Sequence, residues 1–321
     1  GWLNTEAIGA IQSDGSFELA DNVYAWRPAE NRWIKVTGGL AEDFYLHDDL
    51  GREFYHKLLN ETNCRLIDFD NPENNDWRCT IELECTNQTT QNHFRPDITC
   101  FINGLPLVHI EVKKPQNREG MLAERERMHA RMRQRDFRRF LNIAQLMIFS
   151  NNEEYDTDNR VPIQGAFYAS MSKGKMFFNT FREASPSYYE TLPFSPMTNE
   201  REFEILKQVN KTVLVSLPEY QTNKSPLTPT NRVISSVLAK ERILYFLKYG
   251  FAYVERTINN EDGESVTTLE KHVMRYPQFF ASKAICRNLD KQINSGTIWH
   301  TQGSGKTALS YFAVKVLTDY F

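Results

Sequence analysis

Apolar positions along the chain change period several times. From Leu40 to Leu59 they fall at helical spacing (Phe44, Leu50, Phe54, Leu58, Leu59), which predicts one or two short helices. Residues 1–40 hold no sustained period and are broken by Gly15, Pro28 and Gly38-Gly39, so they read as irregular or weakly stranded. Residues 63–78, rich in Asn and Asp, read as a loop. Cys79 to Cys85 alternates as a half-exposed strand, and residues 86–93 form a polar loop. Two β-rich runs, 97–102 and 105–112, then flank Asn103-Gly104. That is the strongest short-range hairpin signal, because both residues tolerate positive φ. Pro106 sits just after the turn, where it need not donate to a ladder. A charged helix is predicted over 119–140, strands over 145–150 and 163–170, and a helix over 200–209. The polar, Pro-containing stretch 222–232 reads as an inter-domain connection. Beyond it come a helix at 234–249, a strand at 251–257, a turn at 259–264 and a helix at 278–288. A short apolar strand at 296–301 leads into a Gly-rich loop and a helix over 308–317.

Composition narrows the class. The 321 residues suggest about two domains, and 40% hydrophobic with 25% charged residues is globular. Mean hydropathy is −0.54, and no apolar run approaches the ~20 residues of a membrane helix. The first residues lack the layout of a signal peptide, and a start at Gly1 suggests processing or trimming. Five cysteines without a CxxC pair argue against a disulfide framework or a zinc site and fit a reducing cytoplasm. The net charge of −3 gives no global pull toward nucleic acid, although it averages over patches.

The hairpin carries the first candidate chemistry. Residues i and i+2 share a strand face, so Glu111 and Lys113 project together, with His109 one step earlier. Val108, Ile110 and Val112 are expected to point into a core. The turn folds Asp97 back toward Glu111. A strand ending in E-V-K-K is often merely solvated; Pro96-Asp97 across a clear hairpin gives the functional reading its weight. Two carboxylates and an ammonium suit metal-assisted hydrolysis, since Mg²⁺ prefers a few carboxylate oxygens and keeps several waters. The expected roles are Asp97 and Glu111 on Mg²⁺, aided by the Val112 backbone carbonyl, with Lys113 activating water. This pattern resembles the PD-(D/E)xK nuclease superfamily. Between Glu111 and Arg139, ten Lys or Arg face five acids, a local charge of +5. Lys114, Arg118, Arg127 and Arg131 are therefore candidate DNA contacts. A solvated helix laced by i,i+4 pairs explains the same charges.

The second candidate is Thr301-Gln302-Gly303-Ser304-Gly305-Lys306-Thr307, between a predicted strand and helix. That is the P-loop arrangement. Gly303 and Gly305 let backbone N–H groups wrap phosphates, Lys306 would reach the β/γ-phosphates of ATP and Thr307 would ligate Mg²⁺. Gln302 and Ser304 complete the loop, and Gln278 could read adenine. His300 stands where the general pattern has its first Gly.

Six blocks in order (95–98, 109–118, 145–151, 239–244, 275–281, 298–307) together resemble the restriction (R, motor and nuclease) subunit of type I restriction–modification enzymes. The resemblance implies an α/β fold: a nuclease domain over 1–232, its catalytic core at about 40–180, then the incomplete start of a RecA-like ATPase lobe over 233–321. It implies ATP-driven translocation of double-stranded DNA and cleavage in a cytoplasmic complex with methyltransferase and specificity subunits. The family often has Gln-x-x-x-Tyr on the helix after the lysine; here Gln134 is followed by Arg138 and no Tyr. A chain stopping at Phe321 is expected to be a piece of a longer motor and a poor ATPase by itself. A non-enzymatic docking module, or another P-loop ATPase with an unrelated N-terminal domain, are the competing readings.

Overall fold

The structure is a computed structural model. It describes residues 9–11, 17–19, 24–27, 32–35, 49–60, 65–86, 91–115, 117, 119–155, 163–172, 175–185, 187–191, 197–259 and 265–321. The described part before residue 49 is two short antiparallel pairs, Gly9–Ile11 with Phe17–Leu19 and Tyr24–Arg27 with Arg32–Lys35. The Phe44 end of the expected first helix lies outside the described residues, and α1 spans Arg52–Asn60.

The centre is an eight-stranded mixed sheet: β1 (Trp77–Ile81), β2 (Ile98–Ile102), β3 (Leu105–Val112), β4 (Leu146–Ser150), β5 (Ala166–Ser172), β6 (Lys175–Asn179), β7 (Phe251–Asn259) and β8 (Ser265–Val273). Its order is β7-β8-β5-β4-β3-β2-β1, with β6 also on β5. Only β3 and β4 run parallel among its described pairs, and parallel neighbours need a crossover. Helices α2 (Gly120–Arg133) and α3 (Arg135–Ile143) supply it.

The Asn103-Gly104 turn forms as expected, with φ of 51° and 80°. Asn103 is also tied down: its Nδ2 donates to the Leu66 carbonyl at 2.8 Å, and its Oδ1 accepts from the Asp76 N–H at 2.7 Å. Pro106 lacks an N–H, and the β2–β3 register shifts between Cys100 and Phe101, where Phe101 faces Pro106.

β3 is covered on both faces. Val108 and Ile110 join Leu146, Ile148 and Tyr168 in one apolar cluster that also holds Tyr55 from α1. His109 and Glu111 lie opposite Met147 and Phe149 of β4. Those two residues pack in a second cluster with Met121, Met128 and Met132 of α2 and Phe137 and Leu141 of α3. Val112, expected in the core, is 38% exposed, because it is the last residue of β3, where the sheet edge opens.

Other expectations are corrected. The single helix over 119–140 is two, because Gln134 takes extended backbone (φ −80°, ψ 129°) and redirects α3. The strand expected at 79–85 is β1 at 77–81; Glu82 then turns the chain with φ of 50°, and Cys85–Thr86 pairs separately with His93–Phe94. β6 and β8 were not expected. The stretch expected as a connection is partly helical. Pro229 starts α4 (Pro229–Leu238) at its first turn, where a missing N–H costs nothing, and Thr228 caps it by accepting from the Asn231 N–H. The expected boundary at 232/233 thus falls inside α4.

Sheet and core continue past that point. β8 joins β5 at Met171 and Lys271. Helices α4, α5 (Lys240–Tyr249) and α6 (Tyr276–Asp290) share one cluster with β3 through Val237, Phe246 and Phe279. Phe312 of α7 (Lys306–Tyr320) belongs to the same cluster. Lys315 of α7 donates to the Tyr55 hydroxyl at 2.9 Å and the Phe251 carbonyl at 3.2 Å, and burial pushes its ammonium down to about 8. The strand expected at 296–301 is irregular here, with Trp299 91% exposed; it pairs with no described strand.

Because β4 is central and Ile148 is fully buried, Ile148→Ala should lower unfolding stability by about 2–5 kcal/mol. Urea unfolding measures it, and a loss below about 1 kcal/mol would contradict the packing described.

Candidate active site

Asp97 immediately precedes β2, and Glu111 and Lys113 lie at the end of β3, so one hairpin brings all three together. The Val112 N–H donates to Asp97 Oδ2 at 2.7 Å, which pins that carboxylate at the sheet edge. Lys113 Nζ lies 3.2 Å from Glu111 Oε2, 3.7 Å from Asp97 Oδ2 and 3.4 Å from the Val112 carbonyl oxygen. The Lys113 N–H extends the sheet by donating to the Ser150 carbonyl at 2.7 Å. Three of the sequence-predicted groups therefore converge, with the Val112 carbonyl beside them.

A fourth acid enters from α2. Glu124 is 1% exposed, and its Oε2 lies 3.0 Å from Lys113 Nζ. Arg127 Nε donates to Glu124 Oε1 at 3.0 Å, and Arg131 Nη1 lies 4.0 Å from the same oxygen. Arg131 also stacks on Phe94, its guanidinium carbon 4.5 Å from the ring centre. From the sequence, Glu124 belongs with Arg127 and Arg131 to the reading of a solvated helix laced by ion pairs, and not to the site. Its spacing from Arg127 and Arg131 (i, i+3, i+7) was the available signal, since these share a helix face. Gln134, the nearest relic of Gln-x-x-x-Tyr, is exposed at the break between α2 and α3. Of the other candidate DNA contacts, Lys114 is exposed, and Arg118 lies outside the described residues.

The two carboxylates are pushed in opposite directions. Burial raises Asp97, the nearby Glu111 charge adds to it, and the Val112 N–H and Lys113 only partly offset this. Glu111 is raised by burial too, but the adjoining His109 ring and Lys113 ammonium outweigh it and hold the carboxyl below its usual range. His109 Nε2 lies 3.1 Å from Glu111 Oε1 in ion-pair contact, without forming a hydrogen bond. Glu111 Oε1 is thus a buried carboxylate oxygen with no hydrogen-bond partner among the described residues. Such an oxygen is costly unless something satisfies it.

No group of three His, Cys, Asp or Glu stands together as a metal cluster among the described residues. Two carboxylates, one with a buried oxygen that lacks a hydrogen bond, and a backbone carbonyl are instead a sparse oxygen set. That suits a hard cation that keeps most of its waters, and Mg²⁺ fits it.

At the second candidate site, Gly303 and Gly305 take φ of 77° and 83°, left-handed values that favour glycine. Lys306 and Thr307 open α7, and the Lys306 ammonium donates to the Thr301 carbonyl at 3.3 Å. Gln302 is exposed and Ser304 buried. Gln278 is engaged in bracing the loop: its Nε2 donates to the Ser304 and Gly305 carbonyls at 3.1 and 3.2 Å, and its Oε1 accepts from the Arg275 N–H at 2.7 Å. A methyl group at Gly305 would run into that side chain.

Residues 15–157, which hold Asp97, Glu111, Lys113 and Glu124, match the family described as type I restriction enzyme R protein N terminus. Over these residues the chain is similar to the N-terminal segment of type I R proteins. Residues 277–320, with the Gly-rich loop, match the SWI2/SNF2 ATPase family. The chain is 26% identical over 277 residues to the putative type I restriction enzyme MjaVIIP endonuclease subunit of Methanocaldococcus jannaschii, covering 84% of the chain and 21% of that relative. It is 23% identical over 264 residues to the type I restriction enzyme HindI endonuclease subunit of Haemophilus influenzae, covering 79% of the chain and 20% of the relative. It is 26% identical over 247 residues to a type I restriction enzyme endonuclease subunit of Staphylococcus saprophyticus, covering 75% and 20%. The chain spans about a fifth of the length of these relatives.

The opposed shifts predict a stability signature. A raised folded-state value for Asp97 means stability present below its unfolded range and lost as pH rises through the folded value. A depressed value for Glu111 means stability present above its unfolded range and lost as pH falls through the folded value. In chelator, Asp97→Asn should therefore be at least as stable as wild type at pH 7, with the difference vanishing in acid below the carboxylate range. Denaturant unfolding against pH checks this; a clearly less stable Asp97→Asn protein at pH 7 would contradict it.

Proposed function

We propose that this chain is the DNA-cleaving part of a type I restriction enzyme, built on a PD-(D/E)xK nuclease-like core and followed by the opening of a RecA-like ATPase lobe. The observation that carries the reading is the convergence of Asp97, Lys113 and a buried Glu111 whose Oε1 lacks a hydrogen-bond partner among the described residues. Asp97, Glu111 and the Val112 carbonyl would hold Mg²⁺, which when bound stabilises charge on a phosphoryl oxygen and acidifies water. Lys113 is placed to orient the attacking water toward the scissile phosphodiester. Arg127, about half exposed beside the site, and Arg131 supply positive charge for the DNA backbone on that side.

The Gly-rich loop fits ATP. Gly303 and Gly305 take the left-handed backbone that a phosphate-wrapping loop uses, and Lys306 donates to a backbone carbonyl that a β/γ-phosphate would replace. In the longer protein, ATP binding would drive translocation along double-stranded DNA, within a cytoplasmic complex containing methyltransferase and specificity subunits. Site recognition would belong to those partners, since the candidate contacts here address phosphates.

The test is cleavage by the R subunit assembled with its methyltransferase and specificity subunits. Lys113→Ala should lower DNA cleavage by about 10²–10⁴-fold and leave ATP hydrolysis intact. Lys306→Ala should abolish ATP hydrolysis and, with it, cleavage. Cleavage unchanged in Lys113→Ala would favour a docking module over a nuclease.

A further inference from the structure

Lys113 has three acidic neighbours, and the nearest is not a metal-binding candidate. Its ammonium donates to Glu111 Oε2 at 3.2 Å and to the Val112 carbonyl at 3.4 Å, and lies in ion-pair contact with Glu124 at 3.0 Å and Asp97 at 3.7 Å. The side chain is 18% exposed, so water has little room to compete for its three donors. Glu124 reaches it from α2, where Arg127 donates to the Glu124 carboxylate and Arg131 lies 4.0 Å from it.

The charges around this point balance only with Glu124 included. Asp97, Glu111 and Glu124 face Lys113, Arg127 and Arg131, three negative groups against three positive. Remove the Glu124 charge, and among the described residues the carboxylates left within 4 Å of Lys113 are the two that would take a cation. The ammonium, already donating to Glu111 Oε2, would then draw further in toward Asp97 and Glu111 Oε1, the oxygens a divalent metal needs. A carboxylate that is 1% exposed and clamped by two arginines cannot swing away to relieve this, so it acts as a fixed counter-anchor.

We propose that Glu124 is a positioning residue: it competes with Asp97 and Glu111 for the Lys113 ammonium and keeps their oxygens open to a divalent cation. The proposal rests on the nuclease reading above and assigns the helix α2 side of that centre. Its role is through Lys113, not through contact with metal or DNA.

A double-mutant cycle on the 321-residue chain tests it, with Mn²⁺ binding followed by calorimetry and folding checked by circular dichroism. Glu124→Gln should weaken Mn²⁺ binding by about 10–100-fold, as loss of outer partners of a metal site typically does. In a Lys113→Ala background the same change should have almost no effect, because no ammonium remains to invade the site. Glu124→Asp, which keeps the charge, should recover most of the affinity. An equal penalty with and without Lys113 overturns the role given to Glu124 and leaves the nuclease reading standing. Wild-type chain that binds no Mn²⁺, or binds it unchanged in Asp97→Asn, overturns the reading beneath it.

Discussion

Burying the Glu111 carboxylate is the constraint on which the rest of the site depends. At 3% exposure it sits on a strand covered on both faces, where an ionised group needs compensating charge and hydrogen bonds. The fold supplies Lys113 two residues on, His109 two residues back, and the α2–α3 layer that closes over both. That layer is also the crossover that the parallel β3–β4 pair requires. Sheet topology and site electrostatics are therefore one arrangement: without α2 across this face, neither Glu111 nor Glu124 would be dry, and Lys113 would be a solvated strand end.

The charged groups do not satisfy one another fully. Glu111 Oε1 and both His109 ring nitrogens lack hydrogen-bond partners among the described residues, and neighbouring Thr99 Oγ1 does too. Thr99 lies directly opposite His109 in the β2–β3 register, so the unpaired atoms fall on adjacent positions beside the candidate centre. Structures seldom leave such atoms buried without a use. The same economy explains the opposite shifts of Asp97 and Glu111: the half-exposed acid is not fully compensated, and the deeply buried one is overcompensated.

Much of this was legible because short-range rules govern it. Asn103-Gly104 specified the hairpin, and period-two alternation then put His109, Glu111 and Lys113 on one face. Asp97 followed from the register. What was not legible depends on long-range packing. Glu124 became significant only when α2 crossed the sheet. The break at Gln134 has no Gly or Pro to announce it. β8 is polar enough (Ser265–Val273) to pass for a loop until it pairs with β7. Pro229 looked like part of a linker because a proline at a helix start and a proline in a loop are locally alike. The segment 296–301 has strand composition, but composition alone cannot provide a neighbouring strand. The Gly-rich loop was legible for the opposite reason, since its glycines and Lys306-Thr307 form a local unit independent of the sheet.

The central claim is that the Asp97–Glu111 pair is a cation site kept open beside Lys113. Anomalous diffraction from crystals of this chain grown with Mn²⁺ tests it most directly. The account predicts a manganese peak bound by Glu111 Oε1 and an Asp97 oxygen, with Lys113 remaining on Glu124. Crystals with manganese elsewhere and Lys113 closed on an empty Asp97–Glu111 pair would contradict it.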